Sequence, residues 1–394
     1  MQRIIYVNDD YSELDDYIKG LKAKKILLVC GASIRFLKYD AYFDNLKNTS
    51  DIEVIRFSDF APNPQYESVV KGVELFREKK CNAIIAVGGG SVMDVAKCIK
   101  LFSNKDLDNE YDSYLNKKII PNDVRLIVLP TTAGTGSEAT QFAVIYNDGD
   151  KKSVDSYSLM PQAVIMDSTV LKSLPTYQKK AALLDALCHA MESYWSVNSS
   201  EESKEYSKQA IGLILGNINE YLETDIIDPS KTALNAGGDN IIREGLPDCY
   251  DNMQKAAYLA GKAINITRTT AGHAMCYKLT TLYGIAHGHA AALCVAKLFP
   301  YMVFHTEDCA DKRGTKYLDC MFNELAKIMG CETVSEACEL FECLLKKLEL
   351  TIPVVSEKDY GILAKSVNAE RLNNNPVMLY DSTIEMLYHK IFER

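Results

Sequence analysis

The chain has no block of basic residues. Its 394 residues set 44 lysines and arginines against 53 acidic residues, for a net charge of −9, which argues against nucleic acid as the main partner. No apolar run approaches the roughly 20 residues needed to cross a bilayer. The opening stretch, MQRIIYVNDDYSELDDYI, lacks a basic segment followed by an apolar one, so no secretory leader is expected. None of the 12 cysteines stands in a CxxC pair or a finger-like spacing. They sit in apolar runs such as ILLVCG and AALCVA, where a thiol acts as a small buried hydrophobe. A reducing, cytoplasmic setting is the expectation. Internal repeats, low-complexity tracts and the GxGxxG turn of ordinary dinucleotide folds are also missing.

What is present in the first half is an alternation of short β-rich runs with helical periodicity. KKILLVCG (24–31), DIEVIRF (51–57), NAIIAVGGG (82–90) and VRLIVLPTT (124–132) read as strands. ESVVKGVELFREKK (67–80) and SVMDVAKCIKLF read as helices. Strands separated by helices of this length imply a parallel sheet covered on both faces. The continuous apolar runs IIAV and LIVL suit such burial. From about residue 178, after LKSLPTY, apolar residues recur at helical spacing and β-branched runs nearly vanish. A chain longer than about 250–300 residues usually divides, so the expected organisation is α/β plus all-α. A dinucleotide-binding, parallel-sheet domain covers 1–176, and a helical, metal-binding and substrate domain covers 177–394. The polar stretch 224–240 reads as a loop between helices.

Histidine is scarce, six in all, and four fall in or beside two motifs. Asp185 and His189 lie four apart in LLDALCHAMESYW, on one face of a helix and about a turn from each other. His273 and His287, in HAMCYKLTTLYGIAHGHAAAL with His289, can approach the same point from a second helix and a loop. One carboxylate and three imidazoles are enough to hold a catalytic metal. In GGGSVMDVAK (88–97), three glycines stand between a strand and a helix start, an arrangement that either cradles a pyrophosphate or only builds a tight turn. Ser91 is the expected N-cap, with Asp94 completing a capping-box-like pair. PTTAGTGSEAT (130–140) brings hydroxyl and backbone donors to the same carboxyl edge of the sheet.

These motifs, in this order and with NPQYESVV (63–70) and NNNPVMLYDSTIEMLYHKI, make the chain resemble the iron-containing alcohol dehydrogenases over nearly its whole length. The resemblance implies a dehydroquinate synthase-like pair of domains with the active site in the cleft. It implies Asp185, His189, His273 and His287 as metal ligands, for Fe2+, Zn2+ or another divalent ion. The nicotinamide cofactor would lie over Gly89, Gly90 and Ser91, with Asp94 behind, Thr131, Thr132, Thr140 and Lys152 completing the pocket, and Asn63 near the adenosine. Gly31 stands where many NAD-preferring relatives carry the Asp that repels a 2′-phosphate. With Ser33 and Arg35 nearby, NADPH is favoured within NAD(P)H. Tyr277 stands where many relatives have a further His, and serves either as a proton relay or as packing.

ITRTTAGHAMCYKLTTLYGIAHGH is similar to the phosphonoacetaldehyde reductase subgroup, in which Arg268, Thr269, Thr270 and Lys278 would face a phosphonate dianion; alternatively the two cations are solvated or paired with acids. The activity implied is reversible reduction of an aldehyde to a primary alcohol, phosphonoacetaldehyde to 2-hydroxyethylphosphonate. The alternatives are a general alcohol, 1,3-propanediol or 4-hydroxybutyrate dehydrogenase, or, from another class, a metal-lyase relative of dehydroquinate synthase. Small-molecule substrates are the expected partners, with neither nucleic acid nor membrane, and with a possible homodimer or larger homo-oligomer.

Overall fold

The computed structural model describes residues 2–7, 10–103, 114–115, 120–148, 150–224, 226, 248–367 and 369–393. The chain divides into two compact units, Met1–Thr132 with Gly136–Ser173, and Ala133–Thr135 with Leu174–Arg394.

The first unit is built on a six-stranded sheet. Its strands are β1 (Arg3–Tyr6), β2 (Lys25–Cys30), β3 (Glu53–Phe57), β4 (Ala83–Gly88), β5 (Arg125–Pro130) and β8 (Ala163–Met166), in the order β1-β8-β5-β4-β2-β3. Every pairing is parallel. The helices α1 (Ser12–Gly20), α2 (Tyr39–Ser50), α3 (Tyr66–Glu78) and α4 (Gly90–Phe102) connect these strands. A separate hairpin joins β6 (Phe142–Asn147) to β7 (Asp150–Asp155). All six residues of β4 are buried, as a strand covered on both faces requires.

β2 is flanked by β3 on one side and β4 on the other, so the chain reverses its direction of winding between β2 and β4. Ligands of open α/β sheets bind outside the carboxyl ends of the strands at such a reversal. The turns that follow these two strands are Gly31–Ser33 and Gly89–Ser91.

Three features depart from the expectation. The strand at 24–31 is the second, because Arg3–Tyr6 already forms an edge strand on β8. A four-residue, half-buried segment carries too little periodicity to be read. β6, β7 and β8 are likewise outside the strands expected from the sequence, β7 because DKKSVD lacks an apolar alternation. Ser91 does not cap α4. The cap is Gly89, with no side-chain bond, and Ser91 lies inside the first turn.

Asp94 instead accepts hydrogen bonds from Ser137 Oγ (2.9 Å) and the Val144 N–H (3.0 Å). One turn on, the fully buried Lys97 donates to Ser137 O (2.6 Å), Thr140 Oγ1 (2.9 Å), Phe142 O (2.9 Å) and Ser137 Oγ (3.0 Å). The charge of α4 thereby pins the Ser/Thr-rich loop and the start of β6. Burial pulls the ammonium down to about 8, against the opposing pull of Asp94 and Glu138.

The second unit is helical. Its helices are α5 (Thr176–Trp195), α6 (Glu201–Leu222), α7 (Asp248–Thr267), α8 (Ala271–Tyr283), α9 (His287–Phe304), α10 (Thr315–Ile328), α11 (Val334–Leu348), α12 (Glu357–Lys365), α13 (Ala369–Leu372) and α14 (Asp381–Phe392). α5 packs on α6, α7 and α9, and Leu183 through Trp195 are buried without interruption. A helix buried all round is expected to be apolar all round. Asp185, His189 and Glu192, spaced four and three apart, break that rule along one stripe. The loop expected at 224–240 lies, apart from Thr224 and Ile226, outside the described residues. Among the described residues no helix is long and apolar enough to cross a membrane.

Lys97→Met leaves four acceptors without their donor and Asp94 without its cation. Removing one partner of a buried charged network costs about 3–5 kcal/mol. The thermal midpoint should fall by several degrees, and a variant that melts with the parent contradicts this account of the loop.

Candidate metal centre

The polar stripe of α5 meets the first turns of α8 and α9. His273 is the third residue of α8 and His287 the first of α9, with Ala286 as its N-cap. His287 therefore opens a helix instead of standing in a loop. Its neighbour Gly288 permits the approach. A Cβ there would lie 2.1 Å from the Ala181 carbonyl oxygen and 2.5 Å from Asp185 Cβ, so only glycine lets α9 start this close to α5.

Ligand atoms of Asp185, His273 and His287 lie within 4.8 Å of one another, the first two residues buried and the third half-buried. His273 Nε2 is 3.3 Å from Asp185 Oδ1. His189 is outside that trio. Its ring stacks nearly parallel on His273, with centroids 4.4 Å apart, and its Nε2 is 4.0 Å from Asp185 Oδ1. Its Nδ1 is buried. His289 faces elsewhere, its Nδ1 3.2 Å from the Tyr177 hydroxyl, since residues two apart on a helix do not share a face.

Sequence reasoning missed Glu192, which is fully buried. Its Oε2 accepts the Thr270 N–H at 2.6 Å and its Oε1 the His273 N–H at 2.9 Å. These are donors of the open end of α8, which Thr270 does not cap because its hydroxyl accepts from Trp195 Nε1 (2.9 Å). A carboxylate suits the positive end of a helix. Gly272 makes room, for a Cβ there would sit 2.1 Å from Glu192 Oε1. The same Oε1 lies 3.1 Å from His273 Nδ1, within ion-pair distance but off the hydrogen-bond axis. The Glu192 carboxylate thus lies against Nδ1 and the Asp185 carboxylate against Nε2, so the His273 ring is bracketed by the two acids. The available signal was its position three residues after His189, on the stripe that carries both ligand candidates.

The electrostatics fit a cation at the common point. Burial disfavours charge on His273, yet Glu192 and Asp185 on either side push it up to about 9. Burial lowers His189 to about 4 despite Asp185, which keeps its ring neutral. Burial would raise Asp185, but the histidines around it hold its carboxyl well below the usual range. A neutral Nε2 lone pair facing a carboxylate oxygen at 3.3 Å is repulsive unless a proton or a cation lies between them. A carboxylate and imidazoles are the donor set of Fe(II), Zn(II) and related ions.

The remaining expected site residues are dispersed. Gly31 follows β2 in extended conformation, and Arg35 lies over the Phe36 ring at 4.8 Å. Asn63 is left-handed, with φ 58°. The Thr131 N–H donates to Gly88 O (3.1 Å), and Thr132 faces the space beside Gly89. The Thr140 hydroxyl is buried against Lys97, and Lys152 is exposed on β7. Tyr277 stacks on His287 with centroids 5.4 Å apart, and burial raises its hydroxyl. Arg268 ends α7 in left-handed conformation, φ 64°. Lys278 is half-buried one position beyond Tyr277. Ala133–Thr135 of the Ser/Thr-rich loop belong to the helical unit, Gly134 packing so closely on Ala182 that a Cβ would meet its carbonyl at 2.8 Å.

The structure thus has an α/β unit with a glycine turn at its sheet reversal, and a helical unit with a buried carboxylate–imidazole centre able to hold a metal ion. Residues 2–168 match the family described as iron-containing alcohol dehydrogenase, and residues 180–392 match its C-terminal domain. The chain belongs to the iron-containing alcohol dehydrogenase family.

It is 28% identical over 322 residues to phosphonoacetaldehyde reductase of Streptomyces viridochromogenes, covering 79% of this chain and 76% of that one. It is 30% identical over 348 residues to aldehyde-alcohol dehydrogenase 2 of Entamoeba histolytica, covering 82% of this chain. The match spans only 37% of that longer protein. A solved structure, sulfoacetaldehyde reductase of Bifidobacterium kashiwanohense in complex with NAD+, shares the fold with a TM-score of 0.81. Its identity is 24%, covering 100% of this chain and 97% of that one.

Glu192→Gln keeps the volume but weakens the hold on the His273 proton. Losing such an outer partner of a ligand typically weakens metal binding about 10- to 100-fold. Titration of the metal-free protein with Fe2+ under anaerobic conditions reads this directly. Unchanged affinity removes Glu192 from the account.

Proposed function

We propose that the chain reduces an aldehyde to a primary alcohol, reversibly, at a divalent ion held by Asp185, His189, His273 and His287, with NAD(P)H as reductant. The observation that carries this is the convergence of Asp185, His273 and His287 on one buried point in a member of a metal-dependent dehydrogenase family. When bound, the ion supplies Lewis acidity to the carbonyl oxygen and the nicotinamide supplies the hydride. The protein's part is binding, orientation and control of protons. Asp185 offsets the ion's charge. Glu192 fixes the tautomer of His273. His189, kept neutral by burial, would offer a lone pair to the ion from its place beside His273. The proton for the alcohol oxygen comes from solvent or through Tyr277.

On the cofactor side, Gly89, Gly90 and Ser91 form the cradle for the pyrophosphate at the start of α4, since backbone N–H groups at a helix N-terminus favour anions. Thr131 and Thr132 line it, Asp94 and Thr140 hold its loop through Lys97, and Asn63 and Lys152 flank the nucleotide. Gly31 brings no carboxylate against a 2′-phosphate, so NADPH is the favoured form. Iron is the favoured ion, with zinc as the alternative. Phosphonoacetaldehyde, giving 2-hydroxyethylphosphonate, is the favoured substrate, with Arg268, Thr269 and Lys278 as the candidate polar surround; Thr270 is withdrawn from it, since its hydroxyl is fully buried against the Trp195 indole. A general alcohol, 1,3-propanediol or 4-hydroxybutyrate dehydrogenase is the second reading.

The test is oxidation of NADPH and NADH with a panel of aldehydes after loading iron or zinc. His273→Ala should abolish turnover and metal retention together. A variant that keeps either one refutes the ligand assignment.

A further inference from the structure

One cation beside the centre has no part in the mechanism above. Arg371, in the short helix α13, is half-buried. Its Nη1 donates to Thr269 Oγ1 at 2.6 Å, and its guanidinium carbon lies 5.3 Å from the centroid of the Tyr277 ring. Tyr277 in turn stacks on His287, the rings inclined by only 15°. Arg371 therefore stands one aromatic ring away from a ligand candidate of the metal centre.

Its partners are a hydroxyl and a ring face, and among the described residues it has no carboxylate within ion-pair distance. An unpaired, half-buried charge is unfavourable, and here a divalent ion next door would add to the positive field. A guanidinium presents a rigid fork of N–H donors that matches a tetrahedral oxyanion two bonds at a time. Only one arm of this fork is engaged by Thr269. The Tyr277 ring, 5.3 Å from the guanidinium carbon, restrains the side chain by a cation–π contact, which reduces the side-chain entropy lost when an anion arrives.

We propose that Arg371, with Thr269, receives the anionic head of the substrate, and that this head is a phosphonate or a sulfonate on a short chain whose other end is the aldehyde. The guanidinium lies 5.3 Å from the Tyr277 ring and that ring 5.4 Å from the His287 ring, which places Arg371 on the flank of the centre and limits the head group to a short chain. The inference rests on the aldehyde-reductase reading and adds to it the residue that selects the substrate class. It gives the head group a different contact from Arg268 and Lys278.

The experiment compares phosphonoacetaldehyde and sulfoacetaldehyde with propanal in the iron-loaded parent, Arg371→Ala and Arg371→Lys. Arg371→Ala should lower the ratio of kcat/KM for the anionic aldehyde over propanal by about 10- to 100-fold, through KM, as expected for lost charge-assisted bonds. Arg371→Lys should recover part of that ratio. The head group whose ratio falls is the one recognised. A parent that prefers neither anionic aldehyde over propanal, or an unchanged ratio in Arg371→Ala, overturns the role of Arg371 and leaves aldehyde reduction intact. If no aldehyde is reduced at all, the functional reading fails. Calorimetry with 2-hydroxyethylphosphonate and 2-hydroxyethanesulfonate then decides the inference separately. Binding at least tenfold weaker in Arg371→Ala sustains it, and equal binding refutes it.

Discussion

The structure of the helical unit turns on one buried carboxylate that serves two partners. Glu192 satisfies the open N-terminus of α8 and, with the same oxygen, lies against Nδ1 of His273. The two roles are inseparable. The bonds that fix the start of the helix also fix the height of His273 above α5, and the charge that suits the helix dipole also sets the imidazole tautomer. Glu192 is fully buried, and backbone N–H donors fix its geometry. Gly272 and Gly288 are the steric conditions for this arrangement, since a methyl group at either would strike Glu192 or the backbone of α5.

The consequence for chemistry is an array of alternating charge within a buried interior. Glu192, His273 and Asp185 run in sequence, with His189 stacked alongside and His287 at the half-exposed side. Opposed carboxylates raise His273 while burial lowers His189. Two imidazoles with rings 4.4 Å apart thus differ in their readiness to carry a proton. A divalent ion bound there would be met by the Asp185 carboxylate and by neutral imidazole lone pairs. On the half-exposed side, Tyr277 stacks on His287 and Arg371 lies against the Tyr277 ring.

Much of this was legible in the sequence, and the reasons for what was missed are physical. The four-residue step from Asp185 to His189 and the glycines at 88–90 are local signals, and local signals fix one helix face or one turn. The parallel sheet followed from continuous apolar strands between helices. The edge strand Arg3–Tyr6 was missed because its pairing with β8 spans most of the first unit, and nothing in four residues announces a distant partner. Ser91 satisfied the residue preferences of an N-cap, but Asp94 found better donors in Ser137 and Val144. Tertiary contacts overrode a local rule. Glu192 and Arg371 act only through contacts made from distant parts of the chain. Arg371 reaches Thr269 across 102 positions, and no spacing rule relates them.

The most direct test is a structure of the iron-loaded protein with anomalous scattering measured on either side of the iron edge. The account predicts a single strong peak in the helical unit, about 2.0–2.2 Å from Asp185, His189, His273 and His287, as for nitrogen and oxygen ligands of such ions, with Glu192 still on His273. A peak elsewhere, or none at that point in protein shown to contain stoichiometric iron, contradicts it.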